Sequence, residues 1–153
     1  MMREAIAATA AAIVLSTGAY AHEFACEKTV EGQVVYVVEE YPATLQFKIV
    51  VTNTHPTHAS TALGVRDDLL SALGVRFAGQ VPFTLAVGAS AEFGASVTVR
   101  NQRECFRLSQ AQSCSNSFED VFQVIYDGGV AQCAARLVCM PDELGGRRKG
   151  VAR

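Results

Sequence analysis

The chain has no tryptophan, only three histidines and four prolines, and a charged fraction of 18%. So few charges beside 50% apolar residues exclude a solvated, disordered body. A concentrated basic face is missing as well. Over residues 22–146, eight Lys or Arg stand against fourteen Asp or Glu. An acidic body is the wrong partner for phosphate backbones, so no nucleic-acid partner is expected. The sequence also lacks a Gly-x-Ser-x-Gly elbow, a phosphate loop and a dinucleotide fingerprint. Its neighbouring acidic pairs, Glu39-Glu40 and Glu119-Asp120, would point to opposite faces of a strand, so neither pair converges on a substrate. The expectation is a non-catalytic protein. Beyond residue 21 no apolar run approaches the ~20 residues of a membrane-spanning helix, so the mature form should have no transmembrane segment.

What is present begins at the N-terminus. Arg3 is followed by a small or apolar run from Ala5 to Leu15, broken only by Thr9, and then by Ala19-Tyr20-Ala21. A charged start, a short apolar stretch and a small-x-small site read as a cleaved signal peptide over residues 1–21. His22 is then the new N-terminus, and the chain matures in the periplasm or outside the cell. Residues 22–142 suit one domain with one core. Residues 143–153, which hold Arg147, Arg148, Lys149 and Arg153, read as a flexible basic tail.

The body is written in short strand patterns. Leu45, Phe47, Ile49 and Val51 alternate with Gln46, Lys48 and Thr52, the period of two expected of a strand with one buried face. Phe93, Ala95, Val97 and Val99 alternate in the same way. Residues 32–38 are rich in valine, and 117–126 and 130–140 flank Asp127-Gly128-Gly129, a hairpin signal. Pro56 places a turn within 53–60, and 67–73 allows one or two helical turns, with Asp67 as cap and Gly74 as stop. Many short strands with little helix predict an all-β, antiparallel, immunoglobulin-like β-sandwich.

Five cysteines, Cys26, Cys105, Cys114, Cys133 and Cys139, lie in the region expected to be oxidised. Cys105 and Cys114 flank a polar segment and are expected to clip one loop. Cys133 and Cys139, six apart on one strand, would be ~20 Å from each other and need other partners. Cys26 is expected to pair with one of those two, other arrangements being open, which leaves one thiol over. The remaining chemistry is that of His22, His55 and His58. A new N-terminal histidine offers an amine and an imidazole together, and with a further imidazole that set suits Cu(II). Copper is therefore the alternative to a chain with no cofactor.

Three segments resemble a known family. Phe47-Lys48-Ile49-Val50-Val51-Thr52-Asn53-Thr54 is similar to the strand and Asn-Thr motif of the conserved-repeat domain of bacterial surface proteins, a domain of unknown function. Val65-Arg66-Asp67-Asp68-Leu69-Leu70 matches its Asp-containing segment. Leu85-Ala86-Val87-Gly88-Ala89-Ser90 matches the turn before its next strand, here Ala91 to Val99. The resemblance implies an immunoglobulin-like sandwich that serves as a spacer or adhesive stalk. This chain departs from the family in having His55 where glycine usually stands, a single copy of the repeat, and five cysteines. The combined expectation is an exported structural or recognition module, with an envelope or extracellular protein as partner.

Overall fold

The structure is a computed structural model that describes residues 23–77, 81–110 and 117–140. The expectations for the signal peptide, His22, Cys114 and the basic tail lie outside those residues. The elements are β1 (Phe24–Val30), β2 (Val35–Val38), β3 (Ala43–Asn53), β4 (Ser60–Asp67), α1 (Asp68–Ala72), β5 (Phe83–Leu85), β6 (Ser90–Val99), α2 (Gln102–Gln110), β7 (Ser117–Tyr126) and β8 (Gly129–Cys139). They form two sheets, one ordered β1-β3-β6 and the other β2-β8-β7-β4-β5. All pairings are antiparallel except β2 with β8. This is an all-β sandwich, with the strand grouping of an immunoglobulin-like domain.

Alternation decides which side of each strand is buried. Leu45, Phe47, Ile49 and Val51 of β3 face Phe122, Val124, Ala135 and Leu137 of the other sheet across the core. Phe77 packs edge-on against both Phe93 and Phe122, with ring centres 6.1 and 5.5 Å away. The Asp127-Gly128 turn joins β7 to β8, with Tyr126 opposite Gly129. Asp67 caps α1 by accepting the Leu70 N–H at 2.9 Å, and Gly74 follows the helix with φ 87°, the left-handed conformation favoured after a helix.

Two local expectations are revised. The valine-rich strand starts at Val35 rather than residue 32. Glu31 and Gly32 both have positive φ (49° and 75°) and close a tight turn, in which Val30 and Gln33 exchange two backbone hydrogen bonds. After that turn the chain crosses to the second sheet. The segment read as a polar loop between β6 and β7 contains α2 instead. Asn101 Oδ1 accepts the Glu104 N–H at 2.9 Å, and Glu104 reaches back to the Arg100 N–H at 2.7 Å. Together these bonds satisfy the helix start much as a capping box does.

The topology fixes where the chain enters and leaves. Glu23 Oε1 sits near Gly128 in the β7–β8 turn, whereas the Met140 N–H donates to Val38 O and Tyr41 Oη donates to Met140 O. Entry and exit are therefore at opposite ends of β8, whose 11 residues span ~33 Å.

Candidate functional site

Two disulfides hold the sandwich. Cys26 of β1 is bonded to Cys133 of β8, with Cα atoms 5.4 Å apart, which joins the two sheets. Cys105 of α2 is bonded to Cys139 at the end of β8, with Cα atoms 6.0 Å apart. The second bond corrects the expected Cys105–Cys114 loop clip. Because residues 102–110 form a helix, Cys105 is turned into the core, where it is 1% exposed and lies beside β8.

The most unusual chemistry is in the core. Lys28 lies on the inward face of β1 in the series Phe24, Cys26, Lys28, Val30. It is only 1% exposed, and its ammonium lies 5.5 Å from the centre of the Phe47 ring. Two carboxylates from the opposite sheet meet it. Asp67 Oδ2, at the end of β4, is 2.5 Å from Nζ and accepts its hydrogen bond. Asp120 Oδ2, on β7, is 2.6 Å away. Both separations are tighter than the ~2.7–2.9 Å usual for an ammonium and a carboxylate. Asp67 is 0% and Asp120 1% exposed.

The two acids are held differently. Asp67 divides its oxygens between Lys28 and the helix cap at Leu70. Neither oxygen of Asp120 accepts a backbone or helix-cap hydrogen bond among the described residues; its partner is the Lys28 ammonium at 2.6 Å. Burial pushes the Asp120 carboxyl up to about 7. The Lys28 charge pulls it down, and the Asp67 charge pushes it up. Burying ions costs several kcal/mol each, and one cation facing two acids offsets that incompletely. Sequence reasoning had set Asp120 aside as half of a divergent pair with Glu119. The signal it missed was positional: Lys28 and Asp120 are charged residues at inward-facing strand positions, flanked on the same face by Val30 and Phe122.

The histidine turn lies at the entry end. Asn53, 1% exposed, donates from Nδ2 to His58 O and Leu85 O at 3.0 and 2.9 Å and accepts the His55 N–H at 2.8 Å. The turn this creates stacks the His55 and His58 rings with centres 3.4 Å apart. His58 Nε2 lies 3.9 Å from Glu23 Oε1, and the Thr54 N–H donates to Glu23 O. Both rings therefore sit beside the residue that follows His22 in sequence. His55 Nδ1 is occupied, accepting from the backbone N–H groups of Thr57 and His58. Among the described residues no group of three or more His, Cys, Asp or Glu is arranged to hold a metal ion, and no helix is long and apolar enough to cross a membrane.

No family model matches the chain, and no curated protein matches it. Among solved structures it is similar to the VesB protease of Vibrio cholerae, at 14% identity and a TM-score of 0.39, over 76% of this chain and 31% of that one. The chain thus spans about a third of that protein's length. The fold assignment stands on strand order and register alone.

Proposed function

We propose that the chain is an exported, non-catalytic structural module of the bacterial envelope, which meets an envelope or extracellular protein. The observation that carries this reading is the cross-linked sandwich: the Cys26–Cys133 bond joins its first and last strands across the two sheets, and Cys105–Cys139 ties α2 to the end of β8, which makes a rigid body suited to a structural or recognition role. Two disulfides suit an oxidising compartment. The contact surface is the open edge at β2, where Val34, Val35 and Val37 are 54%, 50% and 38% exposed.

Fractionation of cells making the full chain, followed by non-reducing peptide mapping, tests export. The expected product lies outside the cytoplasm, starts at His22 and contains both disulfides. Recovery of intact, reduced chain from the cytoplasm refutes the reading. A photocrosslinker at position 35 should trap an envelope protein in living cells, whereas one at the exposed face of β6, at Ser96, should not.

The entry-end geometry supports a second reading, copper binding by His22 with His55 or His58. His58 lies close to Glu23, which brings an imidazole near the expected new N-terminus. Cu(II) titration of exported protein, followed by electron paramagnetic resonance, should show a tight nitrogen-ligated signal that His22→Ala abolishes. Lack of such a signal removes this reading.

A further inference from the structure

The buried trio of Lys28, Asp67 and Asp120 has more than a packing role, and the inference goes beyond the structural reading without depending on export. We propose that Lys28 Nζ and the Asp120 carboxyl condense into an intramolecular amide that ties β1 to β7, with Asp67 carrying the proton.

The geometry supplies each requirement of that condensation. The nucleophile is in contact with both acids, at 2.5 and 2.6 Å, and each group is held by a strand. Fixing two reactants in contact replaces a bimolecular encounter with an intramolecular one, which accelerates such steps by orders of magnitude. In water, amine and acid resist joining because each is more stable as an ion. At 0–1% exposure, beside the Phe47 ring, water no longer solvates the ions, so joining the groups removes charges that are costly to bury. Asp67 is fixed by the Leu70 N–H and can accept a proton without leaving its place. Asp120, by contrast, has no backbone donor among the described residues holding its oxygens and meets the Lys28 ammonium at 2.6 Å. With its carboxyl pushed up to about 7, Asp120 is populated as the neutral acid, the form an amine can attack.

The step balances within the trio. The Lys28 ammonium gives one proton to the Asp67 carboxylate, and the free amine pair attacks Cγ of the protonated Asp120 carboxyl. The tetrahedral adduct carries an ammonium-type nitrogen, an oxyanion and a hydroxyl. One nitrogen proton passes through Asp67 to the hydroxyl, the C–O bond breaks, water leaves and the C=O re-forms. The products are one amide, one water and a neutral Asp67. An ammonium, a carboxylate and a carboxylic acid have become three groups without charge, which removes the buried-ion cost. A surface depression lined by Arg66, Asp68, Leu69, Asp120, Val121 and Gln123 reaches Asp120 and gives the water an exit. No oxidant, metal or activated donor takes part, and each chain reacts once.

Intact mass spectrometry of the full chain, purified, denatured and reduced, tests the proposal. The expected mass is one water below that of the same polypeptide without the link. Proteolysis should yield a branched fragment joining the β1 peptide through Lys28 to the β7 peptide through Asp120, with no tryptic cleavage after residue 28. Lys28→Met and Asp120→Ala should each restore the full mass, and Asp67→Asn should slow or abolish the loss of water. Full mass in natively folded wild-type chain, shown by both disulfides being present before reduction, overturns the proposal. A branch through Asp67 instead of Asp120 overturns it as well.

Discussion

Removal of the Cys26–Cys133 bond, by Cys26→Ala with Cys133→Ala, gives a quantitative reading of what else ties the two sheets. The bonded residues are 107 apart in sequence. In the chain-entropy treatment, opening a loop of that size relaxes the unfolded chain enough to cost about 5 kcal/mol. An amide between Lys28 and Asp120 changes this figure. With that link in place, the disulfide closes only about two residues on the β1 side and about thirteen on the β8 side. A loop of about 15 residues is worth about 3 kcal/mol. The cost of losing the disulfide is therefore predicted to be about 3 kcal/mol in otherwise wild-type protein and about 5 kcal/mol in Lys28→Met, where no amide can form. Urea unfolding of the four proteins, without reductant and at about pH 5, measures both costs in one double-mutant cycle. Both losses are a large share of the 5–15 kcal/mol typical of a domain, so the difference should be resolvable. Equal costs in the two backgrounds, or a larger cost in wild type, would refute the reasoning.

Three further outcomes are expected. Lys28→Met removes the charge that pulls the Asp120 carboxyl down, so that carboxyl should rise beyond its already elevated value of about 7. The folded variant then keeps a proton that the unfolded chain releases above about pH 4. The Asp120 contribution is therefore fully present below about pH 4 and is lost as pH rises towards and through the folded value. The urea midpoint should fall between about pH 5 and pH 8, and a midpoint that rises over that window contradicts the assignment. Phe122→Ala, at a fully buried ring touching Phe77 and Phe93, should cost about 3–5 kcal/mol in the same unfolding assay. Asn53→Ala strips partners from His58 O, Leu85 O and the His55 N–H. It should cost about 2–3 kcal/mol and speed amide hydrogen exchange at His55.

The sandwich was legible because its strands alternate strictly. In β3 Leu45, Phe47, Ile49 and Val51 are buried while Gln46 and Lys48 are exposed, with Val50 the one apolar residue on the outer face, and Phe93, Val97 and Val99 of β6 are buried in the same way. The turns were legible where their chemistry is local, as with Asp67 capping α1 and Asp127-Gly128 closing a hairpin. Asn53 shows why its Asn-Thr pattern could be read. Its side chain holds the turn that follows and reaches Leu85, and its backbone pairs with Gly88 and Ala89. Residues 32 apart in sequence thus meet in one corner of the fold. Helix α2 was missed because Cys105 and Cys114 drew attention away from Asn101 and Glu104, whose three-residue spacing is itself a helix-start signal. The buried trio was missed for a different reason. Each member looks ordinary beside its sequence neighbours, and only the packing of β1 on β4 and β7 brings a cation from one sheet to two acids of the other.

The disulfides have one more consequence, which follows from their overlap. The Cys26–Cys133 and Cys105–Cys139 intervals share residues 105 to 133, so together they cover the whole stretch from 26 to 139 without a gap. A protease that cuts the backbone once anywhere in that stretch releases no fragment, because at least one bridge still connects the two pieces. A clipped molecule would stay in one piece on a non-reducing gel; added thiols would separate the pieces of one cut between 120 and 139, whereas one cut between 28 and 120 would stay joined by the proposed amide. In a compartment rich in proteases, that confers resistance to dismemberment as well as to unfolding.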